Sequence, residues 1–141
     1  TLIELIMVIV ILGILAAFAL PRFANLSQDA RAASLNGALG SVRSAAAIAH
    51  SVSLAKNLAG NASVTLEGST VTMINGYPTA DAAGILVAAQ LSSEYSSTGG
   101  GTSALTIQVA GATTPASCSF TYTAAAASGA PAYGTPVTTG C

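Results

Sequence analysis

Residues 2–20 read LIELIMVIVILGILAAFAL, with one charge, Glu4, and otherwise nothing more polar than Gly13. Nineteen helical residues rising about 1.5 Å each span about 29 Å, which matches a hydrocarbon core about 30 Å thick. Leu, Ile, Val and Met lie on every face of such a helix, unlike the one-sided stripe of a helix that packs on a soluble core. A cleavable secretory signal has a basic start, a shorter apolar run and a small-residue cleavage site, and no such pattern precedes Pro21. The segment is therefore expected to be retained. The chain starts at Thr1 rather than Met, and removal of a leader is the expected reason. Arg22 alone would place its end of the run in the cytoplasm by the positive-inside rule, and a removed basic leader would reverse that assignment. The cysteines and the charge-poor, Ser/Thr-rich remainder point to an oxidising exterior for the C-terminal part.

Beyond Arg22 the helix pattern continues to about Lys56. Leu35, Leu39, Val42, Ala46 and Ala49 recur at spacings of four, three, four and three, a stripe that predicts the buried face, with Gln28, Asp29, Arg43 and His50 away from it. Gly13 and Pro21 are the two weak points, at about 1 and about 3 kcal/mol relative to Ala. A kink or local unwinding is expected between them. Gly60-Asn61 is expected to end the helix, and the pattern then turns to period two. Ser63–Glu67 and Thr70–Ile74 read as a hairpin turning at Gly68-Ser69. Asn75-Gly76-Tyr77-Pro78 reads as a break, and Thr79 as the cap of a short helix reaching Gln90 or Leu91. Ser92–Thr102 reads as a flexible stretch, Ala104–Ala110 and Ser117–Thr123 as strands, and the tail from Ala124 to Cys141 as a loop with a short edge strand at Tyr133–Thr138.

Composition narrows the function. The 141 residues are 52% hydrophobic and only 6% charged, with a formal net charge of −1, so there is no basic field for nucleic acid. One histidine and two cysteines cannot supply a four-ligand zinc site within one chain, and neither a metal nor a cofactor is expected. His50, Asp29 or Asp81 and a serine could be drawn as a hydrolase triad, but no nucleophile-elbow motif accompanies them and a packed or solvated His50 is the expectation. Gly99–Gly101 lacks the lysine and following helix of a phosphate loop.

Glu4 asks for a partner, because a carboxylate in a membrane helix is costly and no Lys or Arg precedes Arg22. Staggered packing of several such helices would let the terminal amine of one neutralise Glu4 of another; the alternative is a place in the headgroup layer. The run TLIELIMVIVILGILAAFALPRF resembles the N-terminus of mature type IV pilins. The resemblance implies leader cleavage by a prepilin peptidase and an N-methylated Phe, which would precede Thr1. It also implies that Glu4 serves methylation and filament assembly, and that Gly13 and Pro21 bound a stretch that unwinds in filaments. DARAASLNGALGSV, NGYPTADAAGI and CSFTYTAA are similar to mannose-sensitive haemagglutinin-type pilins of the type IVa group. Pilins close a C-terminal loop with a disulfide, a role the resemblance gives to Cys118 and Cys141.

The resulting expectation is an α+β pilin fold, with a long N-terminal helix packed on an antiparallel sheet. It divides into an assembly helix at 1–23, an amphipathic continuation at 24–56 and a globular head at 57–141. The implied function is structural rather than enzymatic: a pilus subunit, held in the inner membrane before pilus machinery assembles it into a homo-oligomeric surface filament used for adhesion or motility. A pseudopilin of a type II secretion system shares the N-terminus, but major pseudopilins carry an Asp-rich calcium loop and this chain has no acid after Glu94. The sequons at Asn25 and Asn61 are read as coincidental, and Ser/Thr-rich loops as exposed surface open to O-glycosylation.

Overall fold

The computed structural model describes residues 1–141. Helix α1 runs unbroken over Leu2–Ala55, about 81 Å at 1.5 Å per residue. It continues through Gly13 and Pro21, so the partial unwinding expected between them is not found. Pro21 withdraws one amide from the helix ladder, whereas unwinding a turn would leave several amides unpaired amid apolar side chains. The helix ends where its pattern does, at Ala55 with Lys56 as cap, but the stop signal is not Gly60-Asn61. Asn57, with φ 48°, adopts the left-handed conformation. Its N–H and that of Leu58 donate to the carbonyls of Leu54 and Ser53, each at 3.0 Å, a Schellman closure three residues before Gly60.

The predicted stripe is the buried one. Leu35, Leu39, Val42, Ala46 and Ala49 are buried, with Ala38, Ala45 and Ser53 beside them. Small residues on this face let α1 lie close against what it covers. It shares the main core with Leu105, Ile107, Phe120 and Tyr122 from the sheet. A smaller cluster gathers Val64, Val71 and Met73 under Ala49.

Strands β1 (Val64–Leu66) and β2 (Ser69–Val71) form the expected hairpin one residue out of the expected place. Leu66 pairs with Ser69, so the turn is Glu67-Gly68, with φ 47° and 79°. Two positive φ values suit the right-handed twist of a tight hairpin, and Gly is favoured at the second position. The break expected at Asn75–Pro78 is a second hairpin, joining β3 (Met73–Ile74) to β4 (Tyr77–Pro78). Its Asn75-Gly76 turn has φ 52° and 84°. Asp81, rather than Thr79, caps the next element. Its Oδ1 accepts from the Gly84 amide at 2.7 Å and from the Thr79 hydroxyl at 2.9 Å. A wide helical turn at Ala82–Leu86 then leads into α2 (Val87–Ala89).

The main sheet is antiparallel in the order β5 (Tyr95–Gly99), β6 (Leu105–Val109), β7 (Ser119–Thr123), β8 (Ala132–Tyr133). Strand β5 corrects the expected flexible stretch at Ser92–Thr102. The glycines are its turn rather than a linker: Gly99, Gly100 and Gly101 all have positive φ. A Cβ on Gly100 would stand 2.3 Å from the Ala80 carbonyl oxygen. Alternation holds in the central strands, where Leu105, Ile107 and Val109, then Phe120 and Tyr122, face inward. The tail adds β8 and a single bridge between Ser119 and Val137. Most of Ser92–Thr102 and of the tail is outside the core, as expected of segments rich in Ser, Thr and Gly.

Tyr122 ties the sheet to the second hairpin. Its hydroxyl, buried under α1, donates to the Pro78 carbonyl at 2.7 Å. Burial raises its pKa above the ordinary tyrosine value, and Tyr133 and Tyr77 add to the shift. Below about pH 10 the phenol is neutral whether the head is folded or not, so it adds no pH dependence there. Above that the unfolded phenol ionises first, and stability falls as pH rises. Tyr122→Phe is expected to cost about 1 kcal/mol at neutral pH and to flatten the alkaline loss, measured by denaturant titration at neutral and alkaline pH.

Candidate assembly surface

The long helix presents two different surfaces. From Leu35 onward one face is covered, whereas nearly every residue up to Ala30 is exposed. Sixteen large apolar side chains between Leu2 and Leu26 stand open, including Phe18 at 75% and Leu20 at 69%. Covering such side chains is worth about 1.5–3 kcal/mol each, so together they are worth tens of kcal/mol that water does not supply. This is a helix long and apolar enough to cross a membrane, with none of its apolar window buried by the rest of the chain.

Glu4, Gly13 and Pro21 all lie on this exposed part of α1. They follow one another along the axis at intervals of about 14 and 12 Å, so the fold does not gather them into one place. The nearest cationic side chain in sequence, Arg22, is about 27 Å further along the helix from Glu4. A Cβ on Gly13 would meet nothing within 4 Å, so packing inside the chain does not require a glycine there.

Cys118 and Cys141 are joined, with Cα atoms 4.7 Å apart. Both are buried and belong to the main core. Arg31 donates to the Cys141 carbonyl at 3.0 Å, which fastens the closed tail to α1 just where the helix enters the head. Other polar pins flank the buried stripe. The Tyr95 hydroxyl donates to the Ser34 carbonyl at 3.1 Å and meets the Ser34 hydroxyl at 2.5 Å. Arg43 lies over the Tyr133 ring, 5.2 Å from its centroid. Burial is the main cause raising the Tyr133 pKa, and Arg43 opposes it.

His50 is packed against a neighbouring ring. Its ring stacks on Tyr77 with centroids 4.1 Å apart. Nδ1 is 2.8 Å from the Gly76 carbonyl, an acceptor, so Nδ1 carries the proton. Asp29 is about 31 Å away along the same helix and Asp81 is engaged as a cap, so the triad drawn from sequence is not assembled. No group of three His, Cys, Asp or Glu comes together that could hold a metal ion. Sequence periodicity set Arg43 and His50 off the buried stripe, but it held no trace of their aromatic partners, which come from distant strands.

Over 49 residues the chain is 55% identical to the type IV narrow pilus major component PilA5 of Thermus thermophilus. The matched stretch is 35% of this chain and covers 42% of that protein, less than half its length. No family model matches the chain, and no solved structure does. The match to a type IV pilin, the long apolar helix, the antiparallel sheet and the C-terminal disulfide all fit one family: the chain has the sequence signature and the architecture of a type IV pilin.

Proposed function

We propose that the chain is the major structural subunit of a type IV pilus of the type IVa group. It is held in the inner membrane by α1 until the pilus machinery draws it into a homo-oligomeric filament on the cell surface. The observation that carries this is the apolar helix left bare from Leu2 to Leu26, which needs lipid or other helices around it. The relative's role as a major component of a type IV narrow pilus supports the same reading. Division of labour follows along the chain, with residues 1–23 for membrane and filament core, 24–56 joining core to shell, and 57–141 as outer shell. In the filament, neighbouring helices can compensate the backbone groups freed at Gly13 and Pro21, so the unwinding absent from the lone subunit belongs to the assembled state.

The Ser/Thr-rich exterior suits a surface shell serving adhesion or motility, and the net charge of −1 gives nucleic acid no electrostatic purchase. Electron microscopy and mass spectrometry of sheared surface material test the reading. Filaments with this chain as their main component are expected. Subunit confined to the membrane of cells whose secretion fails on its deletion would instead identify a pseudopilin.

A further inference from the structure

A depression of about 410 Å³ lies on the head between the outer flank of α1, the β1–β2 turn and the end of α2. Ala45, Ile48, Leu66 and Ala88 give it an apolar lining, and Glu67 stands beside them. Ile48 is 54% exposed, one of the few large apolar side chains left open on the head. Glu67 occupies the first position of the hairpin turn, and its side chain is exposed. The groove therefore offers apolar surface next to an uncommitted negative charge.

The chain holds few cations that could answer that charge. Of its four, Arg31 is engaged with the Cys141 carbonyl and Arg43 with the Tyr133 ring. Arg22 and Lys56 remain. Lys56 has half-buried Val52 four residues before it and Gly60 four residues after. Arg22 has Phe18 and Leu26 at those same places, 75% and 62% exposed. Residues at i−4, i and i+4 share one helix face, so Arg22 is a cation set between two bare apolar side chains.

We propose that the groove receives this face of a second copy of the chain, with Arg22 against Glu67 and with Phe18 and Leu26 over Ile48 and Leu66. One chain cannot make the contact with itself. Arg22 and Ala45 are 23 residues apart on one continuous helix, about 34 Å, so parallel copies meet this way when displaced along the helix axis by about that distance. The proposal rests on the filament reading and names one lateral contact within it.

Charge exchange tests it on the full chain in cells, with filaments counted by electron microscopy and inserted subunit measured by immunoblot. Glu67→Arg and Arg22→Glu are each expected to lower filament number about tenfold at normal subunit levels, and the double exchange to restore it to within about twofold. Normal filaments from Glu67→Arg overturn the groove contact and leave the filament reading intact. Loss in both single variants without restoration in the double also overturns it, and assigns Arg22 to another contact such as lipid headgroups. Absence of filaments from the unaltered chain overturns the filament reading itself. A second measurement does not depend on lost assembly. In Arg22→Lys filaments, a water-soluble carbodiimide should join the new amine to the Glu67 carboxylate as an amide, with loss of water. Peptide mass spectrometry of a 22–67 link supports the contact, and its absence from intact treated filaments overturns it.

Discussion

Glu4→Gln subunits are expected to insert in the membrane at normal levels and to yield about a hundredfold fewer filaments. The substitution keeps the side chain's size and removes its charge. In the lone subunit Glu4 has no cation within a turn among the side chains, since Arg22 lies about 27 Å away along α1. If a neighbour's terminal amine is its partner in the filament core, Gln leaves that ammonium buried and unpaired, and breaking such a pair costs far more than the pair itself contributes. Insertion should survive, because a neutral amide enters lipid more easily than a carboxylate. Filament counts set against membrane-inserted subunit separate the two effects. Normal counts would place Glu4 in the headgroup layer instead.

Replacing both Cys118 and Cys141 by Ser is expected to destabilise the head by about 3 kcal/mol, from the entropy regained by the opened loop. The disulfide closes a loop with a sequence separation of 23. Both positions are buried in the main core, so two hydroxyls in place of sulfur add a burial cost. The melting temperature should fall by about 10–15 °C for a domain of this size. Circular dichroism of detergent-solubilised full-length protein would show it, and a thiol assay on unreduced, denatured filaments should find no free thiol. Two free thiols per chain would remove the cross-link from the account.

The elements legible in the sequence are those with long, regular periodicity. Leu35, Leu39, Val42, Ala46 and Ala49 identify the buried face because five residues at helical spacing leave no second solution, and Cys118, Phe120 and Tyr122 do the same for β7. Turn geometry is harder to read. At Glu67-Gly68 a charged residue takes a positive φ that its side chain does not advertise, and the hairpin shifts by one residue. The Asn75-Gly76 turn is legible, but Tyr77-Pro78 reads as a break, because a proline fits only a strand whose amide is not needed. Strand β5 is hidden for another reason. Tyr95, Ser96, Ser97 and Thr98 carry no alternation, and their strand is set by pairing with β6 and by the glycine turn closing over Ala80. Of the residues given roles in advance, the cysteines meet within the chain. Glu4, Gly13 and Pro21 do not, because they are spread along the exposed part of one helix.

The core of the head begins at Leu35, although the helix that builds it began thirty-three residues earlier. Residues 2–30 share a backbone with the head but almost none of its packing, so the two halves of the helix are energetically separable in the way distant, non-contacting sites are. The head's unfolding free energy is then indifferent to whether lipid or protein surrounds the other end. The apolar stretch below Ala30 can thus exchange one apolar surrounding for another without refolding the head of its own chain.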